Sequence, residues 1–143
     1  MVYVDTSVLV KLYIKEAYSR KASDWIKANN EAISKTIFHE LEFTNAIQLK
    51  LFRKEMSEKQ ADLILGRFNE HEKQGIFYTP PINWPDVFNH SLELSNSHTK
   101  SVGSRSLDII HVASALSMGA DRFFTFDTQQ SQLALAAGIQ IVT

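Results

Sequence analysis

Short runs of apolar residues alternate with longer amphipathic stretches along this chain. Val2-Tyr3-Val4 is continuous and apolar and ends on Asp5, the pattern of a strand buried on both faces. Helical spacing follows over residues 6–14 and 18–28, and Asn29-Asn30 breaks it before a second short strand near 32–34. A long helix is predicted from about 37 to 54. Another runs over 57–73, with Ser57 as its N-cap and Gly75 just past its end. After a strand over 76–79, Pro80-Pro81 and Pro85 punctuate the chain ahead of a helix reaching about Ser97. The polar segment 98–106 reads as a loop.

The last third carries the clearest rhythm. A helix over 107–118 ends at Gly119, a strand covers 123–125, a helix over 130–137 ends at Gly138, and a strand covers 139–142. Continuous apolar strands separated by helices predict a three-layer α/β/α sandwich with a central, mostly parallel sheet. In such sheets ligands bind beyond the carboxyl ends of the strands.

Composition bounds this picture. A chain of 143 residues, 44% hydrophobic and 22% charged, fits one domain over 1–143 and leaves no room for a second catalytic one. The formal net charge of -1 announces neither nucleic acid nor an acidic substrate, so any RNA contact rests on a local patch. With no cysteine there is no disulfide, thiolate nucleophile or thiolate-bound zinc. No eighteen-residue apolar run occurs and a strand-like segment starts at once, so neither a membrane span nor a signal peptide is expected; the mature fold is expected to start at residue 1, in the cytoplasm.

Four acids occupy informative positions. Asp5 directly follows the first strand and Asp127 follows the 123–125 strand by two residues, both where a parallel sheet places its site. Either one alone could merely cap the next helix. Asp108 lies in the first turn of a helix whose neighbours Leu107, Ile109, Ile110 and Val112 are apolar, so its carboxylate needs a partner or a cation. Glu40 and Glu42 share one helix but stand roughly 200° apart around it, so at most one faces a site. Glu42 shares its face with Asn45 and Ala46, small residues that allow a close neighbour. Carboxylates gathered within a few ångströms repel unless protonated or neutralised, and an all-oxygen set selects a hard cation, Mg²⁺ or Mn²⁺. Phosphodiester hydrolysis is the chemistry that follows.

With these residues in place the chain resembles the PIN-domain family, and within it the VapC-type toxins of toxin–antitoxin pairs. The matching stretches are 4–13, 41–47, 105–115 and 124–127, in the right order and spacing along essentially the whole chain. The resemblance carries the family's near-invariant acids onto Asp5, Glu42 and Asp108, its commonly acidic fourth position onto Asp127, and a hydroxyl position onto Thr125. The acid that precedes an Asn-Ala-aliphatic triplet by three residues selects Glu42; counting from the preceding strand selects Glu40. It implies a Mg²⁺- or Mn²⁺-dependent endoribonuclease that binds RNA, pairs with a cognate antitoxin and forms a homodimer.

Other residues carry weaker expectations. Arg105, Lys11 and Lys100 are candidate phosphate ligands, although most surface cations do nothing specific. His111 is expected to hydrogen-bond within a buried helix rather than shuttle protons. The histidines form no zinc-binding spacing. Two rival readings compete with this one: a haloacid-dehalogenase-like phosphatase, which needs a second Asp where Ser7 stands, and a catalytically degenerate PIN domain that binds RNA or acts as a scaffold.

Overall fold

Fourteen segments follow one another in the computed structural model, which describes residues 1–30 and 32–142. In chain order they are β1 (Val2–Val4), α1 (Thr6–Tyr13), α2 (Ser19–Asn29), β2 (Ile33–Ser34), α3 (Ile37–Phe52), α4 (Glu58–Lys73), β3 (Phe77–Tyr78) and α5 (Trp84–Leu94). A π-helical turn (Ser95–Thr99), α6 (Lys100–Val102), α7 (Ser106–Ser117), β4 (Arg122–Phe124), α8 (Thr128–Ala136) and β5 (Gln140–Ile141) complete the chain. They form two compact units, one made of Met1–Asp5 with the chain from Pro80 onward and the other of Thr6–Thr79.

The first unit is built on a parallel ladder in the order β1-β4-β5, with Tyr3 opposite Phe123 and Phe123 opposite Ile141. β1 and the Phe123-Phe124 part of β4 are apolar on both faces because they lie inside the ladder's covered part, and Val2, Tyr3, Val4, Phe123 and Phe124 are all buried. Tyr3 and Phe123 stack at 5.3 Å between ring centroids, and Val87, Ile109, Val112, Leu133 and Ile139 pack into the same core. Each such side chain contributes about 1.5–3 kcal/mol when fully buried.

The second unit holds the parallel pair β2-β3, with Ile33 opposite Phe77, and four helices. Thr36 and His39 form a capping box at the start of α3, and Ser57 and Gln60 form another at the start of α4. Phe43 and Phe68 stack at 4.1 Å, and the Tyr13 ring meets both edge-on. The Asn29-Asn30 break is realised as a left-handed C-cap at Asn30, φ 46°, a conformation asparagine tolerates better than most residues.

Among the described residues every strand pairing is parallel, as the alternating pattern predicts, and the pairing is divided between the two ladders. The expected loop over 98–106 is a correction. Helical structure continues through Val102 and stops only at Gly103, φ 75°. Serine and threonine read as turn formers in sequence, but here their hydroxyls bond back along the helix: Ser101 Oγ donates to the His98 carbonyl at 3.0 Å and Thr99 Oγ1 to Ser95 Oγ at 3.3 Å. Among the described residues no helix is long and apolar enough to cross a membrane.

Candidate active site

Asp5 leaves β1 with its backbone still in the ladder, its N–H donating to the Phe124 carbonyl at 2.9 Å. That bond fixes the carboxylate at the carboxyl end of the sheet, where it is buried at 7% exposure. Thr125 Oγ1 accepts from the Asp127 N–H at 3.0 Å, which leaves its own proton to reach Asp5 Oδ2 at 3.4 Å. On the other oxygen, Gln130 Nε2 and His111 Nε2 each stand 3.5 Å away, at the outer limit of hydrogen bonding. His111 is buried, and the Tyr3 hydroxyl meets its Nδ1 at 2.9 Å.

Asp127 is the N-cap of α8. Its Oδ1 accepts from the Gln130 N–H at 2.9 Å, which satisfies one of the orphan donors at the helix start and turns Oδ2 outward. Asp108, in the first turn of α7, is the more buried of these two acids, its side chain 13% exposed against 37% for Asp127. Arg105 joins them. Its Nε donates to Asp108 Oδ2 at 2.7 Å, and its terminal nitrogen reaches Asp108 Oδ1 at 3.4 Å and Asp127 Oδ2 at 3.3 Å. The guanidinium is held above its ordinary pKa by the hydrogen bond to Asp108 and then by the charges of Asp108, Asp127 and Asp5.

In the second unit Glu42 accepts from Thr6 Oγ1 at 2.7 Å, and Thr6 is the residue after Asp5 in the sequence. Glu40 stands elsewhere on α3, 3.3 Å from the buried Lys35 ammonium, which also pairs with Glu72 at 2.5 Å. The two glutamates therefore have different partners, as helical geometry requires. Lys11 is engaged with Glu16 at 2.9 Å. Lys100 is exposed on α6.

Among the described residues no group of three or more His, Asp or Glu side chains is arranged to hold a metal ion. The donors nevertheless fit a hard divalent cation in kind: Asp5, Asp108 and Asp127 offer carboxylate oxygens, and two of them, Asp108 and Asp127, already share one cation, the Arg105 guanidinium. A second sign of unfinished coordination is Gln130, whose Oε1 is buried without a hydrogen-bond partner while its Nε2 faces Asp5.

The PIN domain family model matches residues 2–136, through both units. The chain belongs to the PIN-domain family. No curated protein matches it. Among solved structures this PIN domain is similar to FitAcB from Neisseria gonorrhoeae at 16% identity and TM-score 0.68, covering 100% of this chain and 97% of that one. It is similar to VapC20 of Mycobacterium tuberculosis, a toxin that cleaves the sarcin-ricin loop, at 16% identity and TM-score 0.67 over 97% and 96% of the two chains. A toxin–antitoxin complex from Klebsiella pneumoniae matches at 17% identity and TM-score 0.65 over 100% and 97%. At these identities the likeness establishes the helix-rich α/β PIN fold with parallel pairing.

Two residues of this PIN domain escaped sequence reasoning. Gln130 contacts both Asp5 and Asp127, and its only signal was its place three residues after Asp127, where an N-cap side chain finds its donor. Thr6 reads as a helix starter, yet its hydroxyl is spent on Glu42.

Proposed function

We propose that this PIN domain is a metal-dependent endoribonuclease and the toxin half of a toxin–antitoxin pair. The observation that carries the reading is that Asp108 and Asp127, two of the acids the family pattern selects, share one guanidinium, Arg105, while Asp5, a third, sits buried at the carboxyl end of the parallel ladder whose strand β4 leads to Asp127. Asp5, Asp108 and Asp127 would hold Mg²⁺ or Mn²⁺, and the family pattern adds Glu42. Bound there, the ion supplies Lewis acidity and a water acidified enough to attack a phosphodiester.

The chain's own residues do the positioning. Thr125 orients Asp5, and Gln130 holds one oxygen of Asp127 so that the other stays turned outward. Arg105 offers a planar pair of donors that matches a phosphate. Lys11 and Lys100 are secondary candidates for the RNA backbone. A cognate antitoxin would act by covering these acids, a second copy of the chain would complete a homodimer, and the site of action would be the cytoplasm. The toxin–antitoxin complex among the structural neighbours supports the partner.

The test is cleavage of single-stranded and hairpin RNA by purified protein. Cutting should require Mg²⁺ or Mn²⁺, stop with EDTA and not return with Ca²⁺ or Zn²⁺. Full activity after exhaustive dialysis against EDTA overturns the mechanism. The lack of a ready-made three-residue metal group among the described residues favours one other reading, an RNA-binding PIN domain without catalysis. RNA binding without cutting in any metal would select it.

A further inference from the structure

Arg105 stands at the N-cap of α7 in extended backbone, three residues before Asp108, with its side chain 68% exposed. It is bonded to Asp108 through two nitrogens and to Asp127 through one. A divalent cation bound by the same oxygens would repel this guanidinium, so the two cannot both keep these contacts. We propose that Arg105 is a built-in counter-cation, which holds Asp108 and Asp127 together in the metal-free protein, is displaced when a divalent cation binds, and then takes a phosphate oxygen of the RNA. The proposal rests on the metal-dependent reading above and adds to it an order of events.

Three features suit Arg105 to this exchange. Because it is exposed, leaving the carboxylates returns it to water at little cost, and exposed ion pairs are weak. Asp127 does not depend on it for placement, since Oδ1 is held by the Gln130 N–H and its own N–H is held by Thr125. The cation can therefore leave while that carboxylate stays. Finally, a released guanidinium presents the forked donors that a phosphate accepts in pairs.

Mn²⁺ binding to the full chain, followed by the electron paramagnetic resonance of the free ion, tests the exchange without reference to activity. Arg105→Gln should tighten Mn²⁺ by about two- to five-fold, the scale of an exposed ion pair. Lys100→Gln, which removes an equal charge that makes no ion pair among the described residues, should leave Mn²⁺ affinity unchanged. In the wild type the ¹⁵Nε resonance of Arg105 should move as Mg²⁺ is added and saturate with the binding curve. At saturating metal, Arg105→Gln should raise KM for RNA more than it lowers kcat. Equal or weaker Mn²⁺ binding by Arg105→Gln, the same tightening by Lys100→Gln, or a ¹⁵Nε signal indifferent to Mg²⁺ overturns the exchange and leaves the metal reading standing. Failure of the wild type to bind Mn²⁺ overturns both.

Discussion

The Tyr3 hydroxyl lies 2.9 Å from Nδ1 of His111, on the side of the ring opposite the nitrogen that faces Asp5. A phenol that donates to Nδ1 places the imidazole N–H on Nε2, where it points at the carboxylate. The pair thus links the buried core to Asp5, the first acid of the candidate site. Tyr3→Phe should lower stability by about 1–3 kcal/mol, because Nδ1 loses this buried partner. Urea denaturation measures the loss, and ¹⁵N spectra of the imidazole should show mixed tautomers. An unchanged tautomer would assign its control to another neighbour.

The two glutamates of α3 should behave differently. Glu42→Gln should reduce RNA cleavage by ~100-fold or more if a metal ligand is lost. Glu40→Gln should leave cleavage nearly intact, since its contact is with Lys35 and Lys35 keeps Glu72. Paired rate measurements decide; a reversed order would move the role to Glu40.

Crowded acids alone would make Asp108→Asn stabilising without metal, because one charge of a repelling set is removed. The contact with Arg105 changes the sign. Removing Asp108 here breaks an ion pair and a favourable charge at a helix N-terminus, so stability in EDTA should fall by about 0.3–1 kcal/mol. Cleavage should be lost, and Mn²⁺ should raise the Tm of the mutant less than that of the wild type. Thermal melts of both proteins with EDTA and with Mn²⁺ give the comparison.

Alkaline pH should probe Tyr13. Burial pushes its phenol well above the ordinary value of 10, and its hydroxyl meets Nδ1 of His71 at 2.6 Å. A raised pKa means the folded protein holds this proton longer than the unfolded chain does. The associated stability is complete below about pH 10 and is lost as pH rises through the folded value. Ultraviolet titration should show Tyr13 ionising late, together with unfolding. Tyr13→Phe should shrink that late step by one tyrosine.

The ladder and the acids at its end were legible because each rests on local signals: apolar strands, glycine stops, and acids placed directly after strands. The long helical passage through 98–102 was not, because its serines and threonines satisfy themselves by bonding along the helix, which composition cannot reveal. Arg105 was visible as a candidate phosphate ligand, but not as the partner of Asp108 and Asp127. That contact joins α7 to the start of α8 across 22 residues and depends on the sheet register. Gln130 was hidden for a similar reason: its role comes from capping geometry at Asp127 and a long-range approach to Asp5.

The register of β1 against β4 has a consequence for synthesis on the ribosome. Thr125 and Asp5 touch across 120 residues, and Val4 meets Phe124 in the same ladder. The first strand therefore leaves the exit tunnel with no partner and waits while Thr6–Thr79, a continuous stretch, can collapse on itself. Only when β4 and α8 have emerged do Asp5, Asp127 and Thr125 come together. A polypeptide that stops short of β4 thus lacks the ladder partner that brings Thr125 to Asp5 and carries Asp127 beside them.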